Sequence, residues 1–329
     1  MFDVIVVGAG PSGLSCAIEA QKEGLACIVL EKGSVVDAIR RFPTSLIWFS
    51  TPELLEIGGL PFVINTVRPT RADAIAYYQR VVRHFNLAIR TFDSVEEVAR
   101  ESGRFVVRTS RGARYEAKNV VIATGYYDSP NRLGIPGESL QKVFHYYDEA
   151  YRYNNAEVAV VGGRNSAVET ALDLFRHGAR VTLIHRGEKL SDGVKYWILP
   201  DIENRIKSGE IKALFRTQLR EVTATSIVVE TDGERKTLPN DFVFVHIGFT
   251  PDGDRLKRFG VEIVPETQAP RQDARTFETS TPGLYVAGSA VGGKNNNKVF
   301  VENGRLHGQE IVASIIANKR SLRQGVSQT

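Results

Sequence analysis

Thiols are scarce in this sequence. Its 329 residues contain two cysteines, Cys16 and Cys27, and no C-x-x-C pair. That excludes a dithiol redox couple and a zinc site of ordinary ligand spacing, and leaves both cysteines as expected packing residues. Long apolar runs are missing too. Stretches such as Val120 to Ala123 and Ile311 to Ala317 fall far short of the roughly 18 residues that a membrane-crossing helix needs. The first residues, MFDVIVVGAG, carry no basic leader segment and run straight into a β-branched stretch, so a cytoplasmic protein is expected. Nor is there a Lys/Arg block: 42 basic and 38 acidic residues are scattered along the chain, for a net charge of +4 and a pI near 9.0. Small polyanions are therefore expected as partners, rather than nucleic acid or a membrane.

What is present is a globular composition, 42% hydrophobic and 24% charged, long enough for two domains with separate cores. Residues 3–33 read DVIVVGAGPSGLSCAIEAQKEGLACIVLEKG and residues 157–187 read EVAVVGGRNSAVETALDLFRHGARVTLIHRG. The two align without a gap at an offset of 154, Asp3 matching Glu157. Each is a β-branched run, a Gly-rich turn, a helix with apolar spacing, a C-cap glycine (Gly24 or Gly178) and a second apolar run, which is a βαβ unit. Residues 105–125, FVVRTSRGARYEAKNVVIATG, resemble residues 227–248, IVVETDGERKTLPNDFVFVHIG, and each reads as an antiparallel meander returning to a strand that ends in glycine. The expected fold is α/β with two Rossmann-like dinucleotide-binding domains, each a parallel sheet plus a meander. The second is inserted into the first: residues 1–125 with 249–329, and residues 126–248. The late segment, with a strand GLYVAG at 283–288 and a helix from about Glu302 to Ala317, is too short to fold alone and is expected to rejoin the first domain.

In the first copy Gly8 permits the tight turn, Gly10 lets backbone approach a pyrophosphate, and Gly13 lets helix and strand pack closely. The helix starting near Pro11 directs its positive end to the same place. Glu31 closes the second strand, where a carboxylate accepts from both ribose hydroxyls and repels a 2′-phosphate. This copy is suited to FAD or NAD. In the second copy His185 stands in the place of Glu31 and is followed by Arg186, a basic pair where a 2′-phosphate would sit, which favours NADPH. The contrary reading makes Arg186 a solvated surface residue. Arg164 replaces the second fingerprint glycine, so its side chain either turns away from the pyrophosphate or wraps around it.

The paired fingerprints, ATG at 123–125, HIG at 246–248 and GLYVAG at 283–288 together resemble the two-dinucleotide-binding flavoproteins of the thioredoxin-reductase-like class over nearly the whole chain. RFPTSLIWFSTPELLEIGGLPF at 41–62, HYYDEAY at 145–151 and KVFVENGRLHG at 298–308 look like the bacillithiol disulfide reductase family within it. That resemblance implies FAD in the first domain, held by Gly8, Gly10, Pro11, Ser12 and Gly13, by Glu31 with Lys32, by Val95, by Ala123, Thr124 and Gly125, and by Gly288, Lys298 and Val299. It implies NADPH in the second, held by Gly162, Gly163, Arg164, Asn165, Ser166, His185 and Arg186, with hinges near Gly125 and Gly248. Two departures stand out. Ser289 occupies a place that is usually acidic in the wider class. Ser12 occupies one where family members often carry a cysteine, and Cys16, one helical turn later, is a poor substitute.

Without a C-x-x-C pair, protein thioredoxin is not the expected substrate. The implied reaction is hydride transfer from NADPH to FAD and onward to an acceptor that reaches the flavin itself, a low-molecular-weight disulfide or a small redox protein. A ferredoxin or flavodoxin NADP reductase is the alternative enzyme, and a flavin-binding sensor the alternative outside enzymes. A monooxygenase is disfavoured because the F-x-G-x-x-x-H linker is missing. The helix near Glu302 is expected to aim its positive end at reduced flavin, and Lys298 either adds charge there or is a loop residue of the GGKNNN stretch. His145 and His307 are the candidate proton donors, though neither has a carboxylate partner visible in the sequence. Trp48 and Phe49 are expected either to cover the flavin or to pack in the core. From the resemblance, a homo-oligomer is expected.

Overall fold

The computed structural model describes residues 1–295 and 298–326, with side chains through Arg320. Asn296 and Asn297 of the GGKNNN stretch lie outside the described residues. The chain forms two compact units. The first comprises residues 1–40, 50–129 and 249 onward, and the second residues 41–49 and 130–248. Among the described residues no helix is long and apolar enough to cross a membrane.

In the first unit β1 (Phe2–Val7) leads through the glycine turn to α1 (Pro11–Lys22) and β2 (Cys27–Leu30). There follow α2 (Asp37–Arg40), α3 (Arg71–His84) and the strands β3 (Ile89–Arg90), β4 (Val95–Glu101), β5 (Arg104–Thr109) and β6 (Arg114–Ile122). β6 is long enough to serve two sheets at once. Its first half pairs antiparallel with β5, and its second half runs parallel to β1, so meander and nucleotide sheet merge in the order β3-β2-β1-β6-β5-β4. The strands buried on both faces read as unbroken β-branched runs, as parallel strands must. Ile5, Val7, Val120 and Ile122 stand at the centre of that core.

The second unit holds β7 (Val143–Phe144), β8 (Glu157–Val161), α4 (Asn165–Arg176), β9 (Arg180–Ile184), α5 (Leu199–Lys207) and β10 (Lys212–Leu214). The strands β11 (Thr217–Val222), β12 (Ser226–Thr231), β13 (Glu234–Pro239) and β14 (Phe242–Val245) complete it. Its five-stranded sheet is parallel, in the order β10-β9-β8-β14-β7, and its meander β11-β12-β13 is a separate sheet. The split falls at Pro239, which cannot donate to a ladder, and at the buried Asn240, whose amide donates to the carbonyls of Glu157 and Phe242.

The chain then returns to the first unit through α6 (Gly253–Arg258), β15 (Leu284–Val286, parallel to β6), α7 (Val301–Gly304) and α8 (His307–Val326). The expected single helix from Glu302 is broken. The Ser15 hydroxyl of α1 takes the carbonyl of Arg305 at 2.6 Å, and Leu306 closes a short turn onto Asn303. The long helix therefore begins only at His307, with Gly308 packed so closely on Ser15 and Cys16 that a Cβ would come within 2.6 Å.

Candidate functional site

The first cradle lies at the carboxyl end of β1. Gly8 has φ +111° and a Cβ there would meet the Ala123 carbonyl oxygen at 2.5 Å, while a Cβ on Gly13 would come within 2.0 Å of the Gly8 oxygen. Both glycines are demanded by the protein's own backbone. Gly10 is different, because nothing lies within 4 Å of where its Cβ would go. It is the N-cap of α1, without a side-chain cap and followed by Pro11 at the first helical position. The first amides of that helix thus face open space, which is a cradle for an anionic group. Ser12 packs towards Gly288 and Gly304, its hydroxyl 2.7 and 3.0 Å from their would-be Cβ positions.

Glu31 is buried at the end of β2 and accepts hydrogen bonds from the amides of Ala9 (2.7 Å) and Gly33 (2.8 Å), tying the turn to the strand end. Burial pushes its pKa up against the opposing pull of those amides. Lys32 pairs with Asp128 at 2.5 Å. Val95 is buried as the first residue of β4. Ala123 continues the β1–β6 ladder by donating to Val7, and Ala287 donates to Ile122. The turns Ala123-Thr124-Gly125 and Gly288-Ser289 thus emerge from neighbouring strand ends, and the Ser289 hydroxyl comes 3.3 Å from the Cβ position of Gly125. These residues, with the first cradle, form one rim at the carboxyl edge of the sheet, where open α/β sheets bind ligands. Val299 is buried and Lys298 exposed, the latter's carbonyl held by the Asn303 amide at 2.7 Å. The helical dipole expected from Glu302 onward belongs instead to the four-residue α7, because of the break at Arg305.

The second cradle repeats the path with other side chains. Gly162 has φ +149°, and a Cβ there would lie 2.4 Å from the His246 carbonyl oxygen. Arg164 is the extended N-cap of α4 and is exposed, as is Ser166. Asn165 accepts from the Lys195 amide (2.8 Å) and donates to the Gly193 carbonyl (3.0 Å), while Ser191 donates to Gly163 (2.9 Å). The segment after β9 is thereby pinned beside the start of α4. The His185 ring lies against the turn, where a Cβ on Gly163 would come within 2.4 Å of it. Burial, then the neighbouring Arg186 charge, lowers its pKa. Arg186 is exposed, and no ion pair engages it among the described residues.

The two histidines singled out as proton donors fall in different units, and both are held neutral. His145 accepts at Nε2 from Arg132 (2.6 Å), with Glu138 at 3.5 Å, and its buried Nδ1 has no hydrogen-bond partner among the described residues. Burial and then Arg132 depress its pKa. His307 accepts at Nδ1 from the Gly288 amide (3.1 Å), stacks on Phe277 at 4.0 Å, and is pushed down to about 4 by burial. In both, the fold favours the neutral ring over the imidazolium. The thiols are equally withdrawn: burial drives the Cys16 pKa far up and that of Cys27 to about 12. Thiolate chemistry at either position is disfavoured.

The aromatic loop divides at residue 50. Residues 50–62 stay in the first unit, where Phe62 stacks on Tyr77 at 4.2 Å. Residues 41–49 group with the second: Ser45 donates to Asp173 (3.1 Å), Thr44 to the Asp148 carbonyl (2.7 Å through its amide), and Phe49 lies 5.4 Å from Trp197. Sequence reasoning missed this sorting, as it missed Arg132 and Glu138 beside His145, because nothing local in the chain signals either.

Residues 5–288 match the family model described as pyridine nucleotide-disulphide oxidoreductase. The chain is 42% identical to the bacilliredoxin reductase Bdr of Bacillus subtilis (strain 168), over 94% of this chain and 96% of that one. It superposes with TM-score 0.94 and 41% identity on the bacillithiol disulfide reductase Bdr from Bacillus cereus, covering 96% of this chain and 99% of that one. A ferredoxin–NADP reductase of Ignicoccus hospitalis is 27% identical over 94% of this chain and 96% of its own. The chain belongs to the pyridine nucleotide-disulphide oxidoreductases, enzymes that work with a flavin and a pyridine nucleotide, and within them to the Bdr branch.

Proposed function

We propose that this enzyme uses NADPH and FAD to reduce bacillithiol disulfide, a low-molecular-weight thiol disulfide, without a protein thiol in the relay. The observation that carries the reading is the pair of cradles with opposite strand-end chemistry: a buried carboxylate, Glu31, in one and an exposed arginine, Arg186, without an ion pair among the described residues, in the other. A carboxylate suits the bare ribose of FAD, and an arginine suits the 2′-phosphate of NADPH.

The residues present fit both groups. Gly10 leaves an open space that the protein itself does not need, and the uncapped start of α1 supplies amides to a pyrophosphate. The start of α4 does the same, with Arg164 beside it to wrap the pyrophosphate. When bound, the flavin supplies the two-electron relay between nicotinamide and disulfide. The chain's own part is to bind and orient. Glu31 locks the first turn to its strand, His307 holds the Gly288 amide in place, and the segment 188–197 braces the start of α4. With Cys16 buried, Cys27 half-buried and both thiols held protonated, the disulfide exchanges electrons without forming a bond to the protein.

A ferredoxin or flavodoxin NADP reductase is the second reading, favoured by the full-length relation to the Ignicoccus enzyme and by the missing thiol pair. Anaerobic titration separates the two. NADPH is expected to bleach the flavin absorbance far faster than NADH, and bacillithiol disulfide to restore it where glutathione disulfide and oxidised ferredoxin do not. Recovery with ferredoxin alone would replace the first reading by the second.

A further inference from the structure

Arg186 does not stand alone at its corner. β9 and β10 run parallel, with Ile184 opposite Leu214 as the last pair; two residues further on each chain stand Arg186 and, in the turn that leads into β11, Arg216. Three backbone hydrogen bonds tie the two chains together beyond the strand ends, outside the ladder register: His185 donates to Leu214 (2.9 Å), Arg216 to Gly187 (2.9 Å) and Thr217 to His185 (3.0 Å). The Arg216 amide is thus fastened to the residue that follows Arg186, just outside the carboxyl edge of the sheet.

The local charges leave both available. The Arg216 side chain is 61% exposed, and its ion pair is with Asp232 at 3.5 Å, itself 62% exposed. A pair so open and so long contributes little and yields readily to a better acceptor. Glu188, two residues after Arg186, and Asp232, paired with Arg216, are the acidic groups at these two corners, and both are exposed to solvent. His185, which precedes Arg186 in the chain, is folded back over Gly163 and kept neutral. Arg216 also has φ +50°, a left-handed conformation uncommon for a residue other than glycine, asparagine or aspartate, held by the hydrogen bond that fastens its amide to Gly187.

We propose that Arg216 is a second specificity residue for the 2′-phosphate of NADPH, closing on it from β10 while Arg186 closes from β9. Two guanidinium forks on one phosphate satisfy more of its oxygens than one, and the recognition is by charge-assisted hydrogen bonds. This rests on the NADPH reading of the second cradle, and sharpens it.

The test uses the intact flavoprotein and calorimetric binding of 2′,5′-ADP against 5′-ADP, two probes that differ by the phosphate and need no turnover. In the unsubstituted protein 2′,5′-ADP is expected to bind more tightly. Arg216→Gln should weaken 2′,5′-ADP about ten- to a hundred-fold while leaving 5′-ADP within about two-fold. Arg216→Lys should recover part of the loss, and Asp232→Asn should tighten 2′,5′-ADP slightly by removing the competing carboxylate. If Arg216→Gln weakens both probes equally, or neither, Arg216 is not a phosphate ligand and the inference falls while the NADPH reading stands. If the unsubstituted protein itself does not distinguish the probes, the NADPH reading fails first and takes this inference with it. Should Arg216→Gln fold poorly, the Lys and Asp232→Asn variants decide alone, and unchanged selectivity in both overturns the proposal.

Discussion

The two cradles share one backbone path and differ in what the protein itself requires of it. In the first, Gly13 cannot take even a methyl group, because its Cβ would press to 2.0 Å on the Gly8 oxygen. In the second, the equivalent residue is Ala167, whose methyl group is seated 2.8 Å from the would-be Cβ of Gly162. The second turn therefore stands wider from its helix by about a methyl group. At the middle fingerprint position the protein has no steric need for glycine in either copy: Gly10 meets open space and Arg164 occupies the same place with its side chain in solvent. A fingerprint glycine can thus serve the fold or serve the ligand, and the consensus alone does not say which.

Substitutions can break that comparison. The largest effect is expected from Gly13→Ala, which drives a carbon into backbone and should cost about 3 kcal/mol or more of stability. Gly10→Ala should leave the apoprotein's thermal unfolding within about 1 kcal/mol and yet weaken flavin retention at least ten-fold, followed by flavin absorbance after gel filtration. Equal destabilisation by the two would show that the first turn is purely structural.

The second largest effect concerns acid. His307 has a folded pKa pushed below its ordinary value of 6.5 to about 4, so the neutral form is favoured by folding. Its stabilising contribution is therefore complete above pH 6.5 and is lost as pH falls towards 4, on the order of 2 kcal/mol. His307→Gln should flatten that limb in urea melts taken between pH 7 and 4. His246, in the second unit and also near 4, should leave a residual slope. An unchanged limb would mean that the Gly288–His307 bond is not what the acid breaks.

A smaller change is expected from Arg164→Gly, which restores the fingerprint in the second copy. If Arg164 wraps the pyrophosphate, NADPH affinity falls about ten-fold, with flavin content unchanged. A rise in affinity would show instead that the side chain stands in the way. The smallest effect is expected from removing both thiols with Cys16→Ala and Cys27→Val: NADPH-dependent disulfide reduction should stay within about two-fold, and mass spectrometry should find no protein–substrate mixed disulfide in the unsubstituted enzyme. A large loss of turnover with unchanged unfolding would place a thiol back in the relay.

Much of the fold was legible because each βαβ unit is specified locally: an apolar run, a Gly-rich turn, a helix and a C-cap glycine within about thirty residues, written twice in one sequence. Less legible were features set by distant partners. The break before His307 depends on a hydroxyl from α1, the sorting of residues 41–49 into the second unit depends on Asp148 and Asp173, and the neutrality of His145 depends on burial and then on Arg132. None of these leaves a periodic or spacing signal.

The sequence by itself determined the duplicated α/β architecture, the missing thiol pair and the swap of Glu31 for His185 and Arg186 at matching strand ends. Only the tertiary structure decided which glycines answer to backbone contact, that His185 folds over its own turn, and that the Arg216 amide is fastened to the residue next to Arg186. The reason is physical: helix and strand periodicity act over neighbours in the chain, whereas steric need, protonation and charge convergence are fixed by atoms that only folding brings within a few ångströms.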